Sequence, residues 1–100
     1  MKACVIGLGQ VGLPTALYIA EHGLEVWGYD INESTVEKAK SVEIEATTHW
    51  NKVPPADVYV ICVNTVLVNN KPDMRAIFDV CEKIVRKNKS ALVSVESTIV

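Results

Sequence analysis

The chain has 100 residues, enough for one compact core and too few for two ordinary domains, so residues 1–100 are read as one unit. Apolar residues make up 49% and charged residues 22%, which fits a globular protein and not a disordered one. A formal net charge of -2, with no basic run, argues against nucleic acid or an anionic membrane as partner.

The first apolar run, residues 2–6, predicts a strand covered on both faces, as in a parallel sheet. It stops at Gly7, and Gly7, Gly9 and Gly12 then follow at G-x-G-x-x-G spacing. Each glycine has a physical task if a dinucleotide binds here. Gly7 turns the chain off the strand, Gly9 lets a diphosphate approach the backbone, and Gly12 lets the next helix pack closely. The amides around Gly9, Gln10 and Val11 would then point at the diphosphate from the positive end of that helix. Such a spacing alone also fits an ordinary βα turn.

The helix is predicted from about Gln10 to His22, with Leu13, Ala16, Leu17 and Ala20 as its inner face and Gly23 as its stop. A second strand, Glu25–Asp30, ends in an acid eighteen residues beyond Gly12. A carboxylate at that tip accepts the ribose hydroxyls of an adenosine and repels a 2′-phosphate, so NAD is expected over NADP. Asn32 is expected to cap a short helix over Glu33–Lys40. Glu43–Thr48 is a candidate third strand, and His49-Trp50 reads as a loop pair packed partly on the domain.

Asp57–Val63 is the clearest strand and should be central. Its polar end, Asn64-Thr65, lies at the carboxyl edge where ligands bind in open α/β sheets. Val66–Lys71 reads as a loop, and Pro72-Asp73 as a helix start with Asp73 near the cap. Met74, Ile77, Phe78, Cys81, Ile84 and Val85 then form a stripe expected to face the sheet. Ala91–Val95 is another strand, followed by Glu96-Ser97-Thr98 at the same edge as Asp30 and Thr65.

Alternating strands and helices predict an α/β fold, a doubly wound parallel sheet of Rossmann type in the order 3-2-1-4-5. Cys4, Cys62 and Cys81 read as three buried free thiols in a reducing cytoplasm, and no metal site is expected. There is no secretory signal pattern and no apolar run near the ~20 residues of a membrane span.

Read together, the segments from Gly7 to Pro14, from Tyr29 to Asn32, from Ala56 to Thr65, from Lys71 to Asp73 and from Glu96 to Ile99 resemble the N-terminal NAD-binding domain of the UDP-glucose/GDP-mannose dehydrogenase family. Within it, the resemblance is greatest to the UDP-N-acetylmannosamine dehydrogenases. It covers essentially the whole chain. The V-N-T of Val63, Asn64 and Thr65, combined with the E-S-T of Glu96, Ser97 and Thr98, is more specific than the glycine spacing. The family oxidises the C6 alcohol of a nucleotide sugar to a carboxylate in two NAD-dependent steps. By resemblance, Gly9, Gln10 and Val11 hold the pyrophosphate and Asp30 the adenosine ribose. Val63, Asn64 and Thr65 line the cofactor, and Glu96, Ser97 and Thr98 approach the nicotinamide.

The sequence departs from the family at Thr35, where a basic residue is usual, and at Val66, where proline is usual. The segment at Ser41–Glu43 is also shorter than in the family. The resemblance places the catalytic cysteine, its lysine and aspartate helpers, a long central helix and the UDP-binding domain beyond Val100. No catalytic residue is therefore expected within these residues. They should bind NAD without oxidising a UDP-sugar by themselves, and room is left for a homodimer. Two other readings stay open from the residues: a stand-alone NAD-sensing regulatory module, and part of a hydroxyacid-type dehydrogenase.

Overall fold

Five strands lie side by side and all parallel in the computed structural model, which describes residues 1–63 and 67–96. In chain order the elements are β1 (Lys2–Ile6), α1 (Gly12–Glu21), β2 (Glu25–Tyr29), α2 (Glu33–Ser41), β3 (Glu45–Thr47), a 3-10 turn (Trp50–Lys52), β4 (Val58–Ile61), β5 (Leu67–Val68), β6 (Lys71–Pro72), α3 (Arg75–Lys87) and β7 (Leu92–Val95). The main sheet runs β3-β2-β1-β4-β7. Counting only the strands of this sheet, that is the expected doubly wound order.

The near-continuous apolar strands are explained by two cores, one on each face. Side chains alternate along a strand, so a strand covered on both sides has no face left for polar residues. Val5 of β1 and Val60 of β4 point into a layer with Leu13 and Ala16 of α1 and Val36 and Ala39 of α2. Cys4 and Ile6, with Tyr59 and Ile61, point the other way, onto Ile84 of α3 and Val53 beside the 3-10 turn. Each such Ile, Leu or Val contributes roughly 1.5–3 kcal/mol by leaving water.

Several local expectations are corrected. The inner face of α1 is Leu13 and Ala16 with Leu17 and Ile19 packed partly against them, while Ala20 faces out. Residues 67–72 are not a plain loop: β5 and β6 form an antiparallel hairpin. Asn69 and Asn70 make its turn with φ of 54° and 61°. Asparagine tolerates this left-handed backbone, and two positive φ values match the twist of a two-residue hairpin. Asp73 does lie near the cap of α3, one residue before the N-cap Met74. Asp73 accepts the Arg75 backbone N–H at 3.1 Å and pairs with the Arg75 guanidinium at 2.6 Å. That pairing holds the Asp73 carboxyl down at about 2.

The stripe on α3 is only partly covered. Ile77 and Ile84 are buried, Cys81 is half-buried, but Phe78 is 66% exposed and Val85 also faces out. The sheet ends at β7, whose Leu92 is 67% exposed, so no further described strand lies beneath the outer side of that helix.

Candidate cofactor site

Parallel strands bring their carboxyl ends to one edge, and the site is built there. Gly7 leaves β1 with φ of +91°, a backbone region that side chains rarely enter, and its N–H donates to the Tyr29 carbonyl at 2.8 Å. Gly12 sits against Gly7: a Cβ on Gly12 would lie 1.5 Å from the Gly7 carbonyl oxygen. The first turn of α1 is thereby pressed onto the end of β1. Gly9, between them, is different, because among the described residues a Cβ there would meet nothing within 4 Å beyond its chain neighbours. The bend is tight where the chain touches itself and open where a ligand would come.

The start of α1 is left without a protein cap. Val11 occupies the N-cap position with helical backbone angles, no side chain caps it, and the first turn carries no acid. The partial positive charge of the helix end therefore stays available to an anion.

Asp30 closes the other side of the bend. Its Oδ2 accepts the Leu8 backbone N–H at 2.8 Å and its Oδ1 accepts the Asn32 backbone N–H at 2.9 Å. Each carboxylate oxygen keeps further acceptor capacity, which two vicinal hydroxyls can use. Leu8 is 1% exposed and anchors the bend from below, where a Cβ on Gly28 would lie 2.8 Å from its Cδ1.

Between these groups and α3 lies a cavity of about 540 Å³. Gly7, Gly9, Gln10, Val11, Asp30 and Val63 all line it. Gly12 stands behind the bend and shapes it without lining the cavity. Glu96 does not line it either. Its N–H donates to the Ile61 carbonyl at 2.7 Å, and its carboxylate accepts the Ser94 hydroxyl at 3.3 Å. Asn64, Thr65, Ser97 and Thr98 lie outside the described residues.

The sequence did not point to several other walls, among them Ile31, which is 84% exposed beside Asp30, and Ala76, Asp79, Val80 and Lys83 of α3. Asp79 and Lys83 form an i,i+4 ion pair at 3.6 Å, a spacing visible in the sequence, but only the tertiary fold turns it toward the cavity. Tyr29 joins the cavity to the 3-10 turn, since Trp50 packs edge-on against it at 5.1 Å. Lys87 holds that turn, donating to the carbonyls of Trp50 and Val53 and lying 4.7 Å from the Trp50 ring centre.

Burial holds the Cys4 and Cys62 thiols in their protonated form. Burial pushes Cys4 up to about 12. Burial, and then the charge of Glu96, raises Cys62, which forms part of the cavity wall. All three cysteines are free, and Cys81 is half-buried, not buried as expected. No cluster of three or more metal-ligating side chains occurs among the described residues, and no described helix is long and apolar enough to cross a membrane.

The chemistry of these walls is that of a dinucleotide site. The cavity has the size of a small-molecule site, its bend has room at Gly9 for a diphosphate, and its acid stands where a ribose would follow. Comparison with known proteins agrees. Residues 1–49 match the model of the UDP-glucose/GDP-mannose dehydrogenase family, NAD binding domain. The UDP-N-acetyl-D-mannosamine dehydrogenase of Methanococcus maripaludis (strain C7) is 36% identical over 98% of this chain and 28% of its own length. That of Pyrococcus horikoshii is 32% identical over 99% of this chain and 29% of its own. The structure of the UDP-N-acetyl-mannosamine dehydrogenase from Staphylococcus aureus superposes with a TM-score of 0.83 at 27% identity, covering 99% of this chain and 29% of that one. The chain thus spans under a third of the length of the curated relatives it matches.

Proposed function

Since the chain belongs to the UDP-glucose/GDP-mannose dehydrogenase family, with NAD as its cofactor, we propose that residues 1–100 form one domain that holds NAD for oxidation of a UDP-sugar. The substrate of the whole protein is UDP-N-acetylmannosamine or UDP-glucose, and the product is the uronic acid. The similarity to UDP-N-acetyl-D-mannosamine dehydrogenases supports the first of these. NAD, when bound, supplies the acceptor for hydride from the sugar alcohol.

The chain's own residues bind and orient. Backbone amides around Gly9, Gln10 and Val11 hold the diphosphate, and Asp30 takes the adenosine ribose. Val63, Asn64 and Thr65 run along the cofactor, with Glu96, Ser97 and Thr98 toward the nicotinamide. Groups that position and deprotonate the alcohol are assigned to the part of the full-length protein that the relatives carry beyond this stretch, which spans under a third of their length. We place the protein in the cytoplasm, with its three free cysteines in support, and assign it a UDP-sugar and a second copy of itself as partners of the full-length form.

The observation that carries this reading is the carboxylate of Asp30, bonded to Leu8 N at 2.8 Å across the mouth of an otherwise open glycine bend. Titration calorimetry of the 100-residue chain with NAD tests it. The expected result is saturable binding without turnover of a UDP-sugar, weakened about tenfold or more in Asp30→Asn because a charge-assisted bond is lost. No heat of binding at millimolar NAD, or an unchanged affinity in the folded variant, would refute it.

A further inference from the structure

A second cleft opens on the other side of the bend, between α1 and α2, with a volume of about 510 Å³. It shares Gly9 and Gln10 with the cofactor cavity, so the two adjoin at the diphosphate turn. Its remaining polar walls are Ser34, Thr35 and Lys38, and no carboxylate among the described residues lines it. Lys38 forms no salt bridge among the described residues, whereas Lys40 on the same helix lies 3.8 Å from Glu37. A hydrogen-bonded path connects the cleft to the ribose acceptor. Asp30 Oδ1 accepts from Asn32 N at 2.9 Å, and Asn32 Oδ1 accepts from Ser34 N at 2.9 Å and from the Ser34 hydroxyl at 2.7 Å.

An ammonium with no ion-pair partner among the described residues, beside the Thr35 hydroxyl and next to a ribose site, suits a phosphate ester on that ribose, while the Ser34 hydroxyl stays engaged with Asn32. We propose that this cleft is a subsite for a 2′-phosphate, and that Lys38 sets how far the protein admits the phosphorylated dinucleotide NADP. The inference rests on the reading that Asp30 receives the ribose of NAD. Asp30 still repels the added phosphate, so NAD remains the better ligand. Lys38 opposes that repulsion from the far side of the bend, and the preference is narrowed and not absolute. A lysine suits this role, since a compact ammonium on a flexible stem can follow a phosphate that Asp30 pushes outward.

The test is calorimetric titration of the 100-residue chain, wild type and Lys38→Ala, with NAD and with NADP separately. Lys38 is exposed, so the fold should tolerate the change, and a thermal melt verifies it. Wild type is expected to bind both nucleotides, NADP more weakly. Lys38→Ala should weaken NADP about tenfold and leave NAD within twofold, with Lys38→Arg restoring NADP. NAD binding with no NADP binding at millimolar concentration overturns the subsite. Equal weakening of both nucleotides also overturns it, because Lys38 would then serve the shared diphosphate. If neither nucleotide binds to the wild type, the cofactor site itself falls.

Discussion

Asp30 stands between two helix starts, and the two are finished differently. At α2 the chain supplies everything: Asn32 accepts the backbone N–H groups of Ser34 at 2.9 Å and Thr35 at 3.3 Å, and Glu33 lies in the first turn. At α1 the cap position holds Val11, no side chain among the described residues answers the first amides, and the first turn carries no acid. Helix ends that are not completed internally must be completed by water or by a ligand. On the proposed function, the contrast separates a helix start closed by its own residues from one left for an anion. The glycines repeat it on a smaller scale. Gly12 is where protein meets protein, and Gly9 is where a side chain would meet no described residue but its chain neighbours.

The strongest way to break this comparison is to put the same methyl at both glycines. In Gly12→Ala the new atom would fall 1.5 Å from the Gly7 carbonyl, backbone against backbone, with no flexible neighbour to yield. A loss of about 4 kcal/mol or more is expected, enough to unfold a marginal domain, read as a collapse of the urea midpoint. Gly9→Ala meets no protein atom. Its stability should stay within about 0.5 kcal/mol of wild type, while NAD affinity falls at least about tenfold because the methyl takes the diphosphate's place. If Gly9→Ala is folded and binds NAD normally, the open side of the bend is not the ligand side.

A smaller effect is expected from making α1 resemble α2. Val11→Asp sets a carboxylate at the exposed start of α1. Interaction with the helix dipole should stabilise the fold by about 0.3–1 kcal/mol. The same charge should weaken NAD about tenfold by facing its diphosphate, and added salt should recover part of that loss. A variant that gains stability and keeps its affinity would show that the bare helix end is not reserved for phosphate.

Much of this was legible in the chain itself, for identifiable reasons. Val5, Ile6, Val60 and Ile61 lie in unbroken apolar runs because strands between two helical layers must be apolar on both faces. Gly7 and Gly12 are read from spacing because backbone sterics leave no alternative residue. What escaped depends on partners far along the chain. Phe78 and Val85 fit the periodicity of Ile77 and Ile84, but periodicity does not say where the sheet stops. The β5–β6 hairpin is too short to show alternation, and only the Asn69-Asn70 pair hints at its turn. Ile31, Ala76 and Val80 became cavity walls through the packing of α3 against the sheet edge, which no local pattern encodes.

The mildest substitution is the most discriminating for the role of Asn32. Asn32→Ala removes the side-chain oxygen that answers Ser34 and Thr35, and loss of such a cap costs about 1 kcal/mol. A modest fall in the urea midpoint is therefore expected. Asp30, however, is held by the backbone N–H of residue 32, which alanine keeps. The ribose acceptor should stay in place and NAD affinity within about twofold of wild type, a difference below about 0.4 kcal/mol. A large loss of affinity in a folded Asn32→Ala chain would mean that the cap at α2 positions the carboxylate after all. Completing one helix start and leaving the other bare would then be parts of a single device, with Asp30 as the hinge between them.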